Sequence, residues 1–135
     1  MSGAVEDTFR SLGSALERLR EALAQPLANP LAIDGTLQRF EFSIELFWKV
    51  LRRLLAQQGV QTATPKEALR KAYSAGWLDD ETAWLQMLAD RNATSHLYDE
   101  TAARVVYERI RGHAAAMDSA YRALATRFGL SSHDP

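Results

Sequence analysis

The chain contains no cysteine. Disulfides, thiolate nucleophiles and cysteine-bound zinc are therefore excluded, and nothing points to an oxidising compartment. No apolar run approaches the roughly 18 residues a membrane span requires, so no membrane partner is expected. The stretch Met1-Ser2-Gly3-Ala4-Val5-Glu6-Asp7 turns acidic at once and lacks the basic-then-apolar pattern of a leader. The expected location is the cytoplasm. Charge of one sign is also missing: 17 acidic and 16 basic residues leave a formal net charge of −1. No global field announces a nucleic-acid partner, and capture of RNA would need a local arginine cluster. There is no glycine-rich phosphate loop, so nucleotide hydrolysis by this chain alone is not expected. Its three histidines show no HExxH or paired spacing, which argues against a metal site, and no cofactor is implied.

What is present is a globular composition, with 47% hydrophobic and 24% charged residues over 135 positions. That length suits one domain, residues 1–135, with an ordered core at about 5–128 and a flexible tail at 129–135. Packing against a second copy could add to the core.

Apolar residues recur at spacings of three and four through most of the chain, and no segment alternates as a strand does. Phe9, Leu12, Leu16, Leu19 and Leu23 form one helical stripe from about Val5 to Gln25, ended by Gln25-Pro26 and Asn29-Pro30. A second helix from Leu31 or Asp34 to Gln58 carries Leu37, Phe40, Ile44, Phe47, Leu51 and Leu54, with Phe42, Trp48 and Leu55 widening its apolar face. Gly59 supplies its stop. Thr64-Pro65 with Glu67 reads as an N-cap, a proline at the first helical position and a capping box. The short helix that follows turns Ala68, Leu69, Ala72 and Tyr73 inward and stops at Gly76. Asp79 or Asp80 caps a fourth helix with Trp84, Met87 and Leu88 as core. Asp99 caps the last, whose stripe runs through Ala103, Val106, Ile110, Met117, Tyr121, Leu124 and Phe128. Three long helices and two short ones predict an all-α, antiparallel up-and-down bundle of four to five helices.

Residues 90 to 99 break this pattern. Arg91 falls on the inward stripe, seven residues after Trp84, where a charge is costly unless paired or at an opening. Asn92, Thr94 and Ser95 compete with the helical backbone for hydrogen bonds, so the helix should end here. In an unbroken helix Arg91 and His96 would point about 140° apart. They can meet only across a break, or between two copies of the chain. An imidazole beside a guanidinium suits phosphodiester chemistry, with proton transfer from the one and charge stabilisation from the other. The same residues also fit a helix-terminal arginine, a capping histidine and a packed Tyr98, and spacing alone does not choose between the two.

The wording of the segment adds to this. Arg91-Asn92-Ala93-Thr94-Ser95-His96-Leu97-Tyr98-Asp99-Glu100 resembles the RN-x-TSH-x-YDE signature of the nucleotidyltransferase substrate-binding protein family, the helical partners of minimal nucleotidyltransferases within the HEPN superfamily. Arg39-Phe40-Glu41-Phe42-Ser43-Ile44-Glu45-Leu46-Phe47-Trp48-Lys49 resembles the family's RFEFxxELxWK spine. Thr64 to Ala72 resembles its SP+E-x-x-+-A helix, and Trp84 with Met87-Leu88-Ala89-Asp90 its W-x-x-ML-x-D lead-in. The likeness runs in order through residues 5 to 128.

The resemblance implies a helical bundle that dimerises, with both signature segments near the interface, and a small nucleotidyltransferase as heteromeric partner. RNA or a nucleotide is a further candidate ligand. It places Arg91 and His96 at the Arg-x4–6-His motif of HEPN ribonucleases, with Asn92 in the supporting polar position. It also marks Tyr98 as the residue to which the partner transferase of related toxin–antitoxin pairs attaches AMP. Two activities follow as expectations: a partner subunit presenting nucleotide or Tyr98 to the transferase, or a metal-independent ribonuclease toxin silenced by adenylylation. A purely structural helical dimer is the third reading.

Other positions carry weaker signals. Glu41 and Glu45 could form an acidic edge toward Lys49 or Arg91, and Glu45, Lys49, Asp99 and Arg104 are candidate partner or nucleotide contacts. Arg104, Arg109 and Arg111 could guide RNA or serve solubility. His113, on the last helix's stripe, reads as a core or interface histidine, and His133 as part of the tail.

Overall fold

A computed structural model of the chain describes residues 3–96 and 99–131. Five helices follow in order: α1 (Gly3–Leu23), α2 (Ala32–Gln57), α3 (Pro65–Ser74), α4 (Glu81–Ala93) and α5 (Glu100–Phe128), with a 3-10 turn at Thr94–His96 after α4. The architecture is the all-α, antiparallel up-and-down bundle that the periodicity predicts. The longest apolar stripes belong to α1, α2 and α5, and α2 is the spine, touching every other helix.

The predicted stripes are the core. Phe9, Leu12, Leu16, Leu19 and Leu23 from α1 are all buried against Phe40, Ile44, Phe47, Leu51 and Leu54 of α2. Phe9 stacks on Tyr121 of α5 with ring centres 4.2 Å apart, and Phe47 meets Trp84 of α4 at 4.7 Å. These two contacts fasten α5 and α4 to the α1–α2 pair.

The ends of the helices follow their local sequence. The Thr64 hydroxyl accepts a hydrogen bond from the Glu67 amide at 3.1 Å, and the Glu67 carboxylate reaches back to the Ala63 amide at 2.7 Å. Asp80 and Asp99 accept likewise from the amides of Ala83 and Ala102. Gly59, with φ of 82°, adopts the left-handed conformation that ends α2 without a Cβ clash.

Three side chains depart from the sequence reading. Phe42 is 49% exposed, because it lines a surface groove between α1 and α2 with Ser11, Ala15 and Leu46 instead of entering the core. Tyr73 is 41% exposed, since α3 buries only Ala68, Leu69 and Ala72. Leu130 is buried in the core cluster, so after the left-handed Gly129 that ends α5 the chain turns back and does not leave the bundle at once. His133 lies outside the described residues.

Removing the Phe47 ring should destabilise the fold by about 3–5 kcal/mol, the usual range for a buried Phe→Ala change. Phe42→Ala should cost about 0.5 kcal/mol or less. Urea midpoints of the two variants measure the difference; equal losses would contradict the assignment of the core face.

Candidate functional site

The predicted helix break is where the sequence placed it. α4 ends at Ala93 and the chain tightens into the 3-10 turn Thr94–His96. The Thr94 hydroxyl donates to the Arg91 carbonyl at 2.7 Å, the local competition for backbone groups that its residue type implies. Asp99 then caps α5. The candidate segment is thus a corner between two helices, and His96 on it is exposed. Leu97 and Tyr98 lie outside the described residues.

Arg91 does not point into the core. Its side chain is 40% exposed, and one guanidinium nitrogen donates to Glu45 of α2 at 2.9 Å. A second nitrogen donates to the Asn92 side-chain oxygen at 3.3 Å. The acidic edge on α2 therefore serves Arg91, one of the two partners open to it. An ion pair this exposed contributes about 0–1 kcal/mol, little enough for an incoming anion to replace Glu45. Among the described residues no hydrogen bond joins Arg91 to His96, although both lie at the same corner.

Behind Arg91 lies a stronger arrangement that the sequence reading missed. Asp90 is 2% exposed, and its carboxylate accepts four hydrogen bonds. Arg109 of α5 donates to both oxygens, at 2.7 and 3.0 Å, in a bidentate pair. Gln86, one turn earlier on α4, donates at 2.9 Å, and the His113 Nε2 approaches at 2.7 Å. Because an ionised carboxylate only accepts, His113 carries its proton on Nε2. Burial alone would raise the Asp90 pKa, but the hydrogen bonds from Arg109, His113 and Gln86 and the Arg109 charge outweigh it, so the carboxyl titrates below its ordinary value. The Asp90 hydrogen bond raises Arg109 in turn.

The signal for this cluster was present. Asp90 follows Met87 by three on the inward side of α4, and His113 sits on the inward stripe of α5. Two polar residues on facing apolar stripes require each other. His113 is indeed a core histidine, stacked against Phe40 at 5.5 Å. Arg109 holds Asp90, and Arg111 donates to the Leu23 carbonyl at 3.2 Å, so both have structural tasks where a nucleotide-guiding role was also open. Arg104 and Lys49 are exposed, and the Asp99 carboxylate is occupied as a cap. Among the described residues no group of three or more potential ligands could hold a metal ion, and no helix is long and apolar enough to cross a membrane.

Comparisons with known proteins identify the family and the fold. A family model described as "Nucleotidyltransferase substrate binding protein like" matches residues 7–126. A Haemophilus influenzae protein named "Probable ribonuclease HepT" is 37% identical over 83 residues, 58% of this chain and 57% of that protein. The aligned part is thus little more than half of that relative's length. A crystal structure from Thermus thermophilus superposes with a TM-score of 0.78 at 34% identity, covering 84% of this chain and 98% of the other. A Haemophilus influenzae structure, described as revealing the fold of a substrate binding domain of a nucleotidyltransferase, gives a TM-score of 0.67 at 28% identity, covering 90% and 97%.

Asp90→Asn should cost about 3 kcal/mol, the low end of the range for breaking a buried pair because Arg109 is 43% exposed. The depressed Asp90 pKa also sets a pH dependence. Its stabilisation is complete above the unfolded carboxyl value of 3.8 and is lost as pH falls through the lower folded value. Urea unfolding between pH 2 and 6 (roughly the span of carboxyl titration) should show a shallower acid limb for Asp90→Asn than for the parent. Parallel limbs would refute it.

Proposed function

We propose, from the premise that this chain belongs to the nucleotidyltransferase substrate-binding protein-like family, that it is the helical partner subunit of a separate minimal nucleotidyltransferase. In this reading the corner between α4 and α5 is the face presented to the transferase, in a toxin–antitoxin-like pair working in the cytoplasm. The observation that carries it is the break at Thr94–His96, where the signature segment leaves α4 and Ser95 and His96 lie open to a partner. Tyr98 is the second residue after that turn in the sequence. Its phenolic oxygen would attack the α-phosphorus of ATP held by the transferase, releasing pyrophosphate and leaving an AMP group on the ring.

A second reading has its own support. Arg91 is a fixed, half-exposed guanidinium held by a replaceable partner, and His96 is exposed five residues on. That pair suits RNA cleavage without a metal. The ribose 2′-oxygen forms a bond to the neighbouring phosphorus while the bond from phosphorus to the 5′-oxygen breaks. One His96 accepts the hydroxyl proton, and another, from a second copy of the chain in a homodimer, returns a proton to the leaving oxygen. Arg91 carries the negative charge that grows on the phosphoryl oxygens. AMP on Tyr98, two residues after His96 in the sequence, would add bulk and negative charge and so would exclude the RNA phosphate. The two readings describe one system: a ribonuclease subunit and the transferase that silences it.

Incubation with the cognate transferase and ATP should add adenylyl mass to the chain, and Tyr98→Phe should remove the increment. Equal modification of the Phe variant would rule out Tyr98. The unmodified protein should cut RNA, with His96→Ala slower by about 10²–10⁴-fold. Absence of cleavage by the parent, with adenylylation intact, would leave the partner role alone standing.

A further inference from the structure

The C-terminal half of α2 carries an unexplained concentration of positive charge. Lys49, Arg52 and Arg53, with Ala56 and Gln61, line a depression of about 260 Å³ that contains no carboxylate. Acidic residues outnumber basic ones in this chain, 17 to 16, yet none borders this pocket. Like charges three and four residues apart on a helix destabilise it. The helix dipole does not account for them, because its attraction fades beyond the last turn and the last turn of α2 has no basic residue.

The arginines are also held in place. Arg53 donates to the Ala4 carbonyl and to the Thr8 hydroxyl of α1. Arg52 lies over the Trp48 ring, 5.7 Å from its centre. Neither contact neutralises a charge, so both cations stand ordered and open to an anion.

Their placement links them to the candidate site. At about 100° per residue, Lys49, Arg52 and Arg53 fall with Glu45 in one sector of α2 about 100° wide. Lys49 stands about 6 Å and Arg53 about 12 Å along the helix axis from Glu45. Glu45 itself is neutralised by Arg91. Four cations, Arg91, Lys49, Arg52 and Arg53, therefore stand along this side of α2 against the one carboxylate of Glu45, and the balance stays positive when a phosphate takes Arg91 from it.

We propose that Lys49, Arg52, Arg53 and Gln61 form a phosphate-binding subsite for the backbone of a single-stranded RNA whose reacting phosphate lies at Arg91. The inference rests on the RNA-cleaving reading of Arg91 and His96. A phosphate backbone fits better than an acidic protein surface, because the pocket is lined by cations and an amide and offers no large apolar anchor of the kind protein interfaces centre on. Ordered cations without apolar cover suit a ligand that is itself a row of charges.

Fluorescence anisotropy of a labelled uridine 20-mer, titrated across a series of salt concentrations, tests this. All titrations are run in the His96→Ala background, so that the probe stays intact whether or not the parent cuts it. The double variant K49Q/R52Q keeps the Arg53 contacts to α1, and the triple variant adds R53Q; circular dichroism establishes that each is folded. We expect about tenfold or greater weakening in the triple variant. Its salt slope should fall by about 2, from three lost phosphate contacts at about 0.7 each on a single strand. The double variant should lie between, and R52K/R53K should restore most of the affinity. Competition by ATP at concentrations well below those needed for the RNA would reassign the pocket to a free nucleotide and overturn the backbone proposal. Unchanged affinity and slope in the triple variant would overturn it, as would loss of transferase binding with RNA binding intact. If the parent binds RNA through these residues but never cuts it, the cleavage reading fails and the subsite stands.

Discussion

A buried carboxylate is the constraint around which the α4–α5 corner is built. Asp90 is almost wholly removed from water, and an ionised group in that position is tolerable only when its lone pairs are filled. Four donors from three side chains fill them, two from Arg109, one from Gln86 and one from His113. Two of those side chains belong to α5, which returns along the bundle only after the turn at Thr94–His96. The carboxylate therefore fixes the end of α4 against the last helix, and it fixes Arg91, the next residue, at the corner.

The two ion pairs at this corner are of different kinds. Asp90 with Arg109 is bidentate, anchored on a buried oxygen pair and hard to exchange. Arg91 with Glu45 is half in solvent and easily exchanged. Neighbouring residues thus hold a rigid anchor and a replaceable partner. A guanidinium that is positioned but weakly committed is what recognition of a phosphate group requires.

Much of this was legible in the sequence. Helix period located the core because burial in a bundle depends on which face a residue occupies, and local chemistry located the caps at Thr64, Asp80 and Asp99 because capping is settled within four residues. The break after Arg91 was legible for the same reason. Phe42 and Tyr73 were not, since periodicity gives a direction around a helix and not how far its neighbours extend to cover it. The Asp90 cluster was missed because its members are spread over residues 86 to 113, and only the packing of α4 on α5 brings them together. The basic pocket on α2 was obscured differently. A net charge of −1 averages over the chain, while an anion responds to the few charges within its Debye length.

Asp90 holds the corner that carries Arg91 and His96. Amide hydrogen exchange of the parent and Asp90→Asn, read at residues 88–96 under conditions where both are folded, tests it most directly. Protection should fall at the end of α4 and the following turn, with the α1–α2 core unchanged. Equal protection at the corner in both proteins, or a loss spread evenly over all helices, would contradict it.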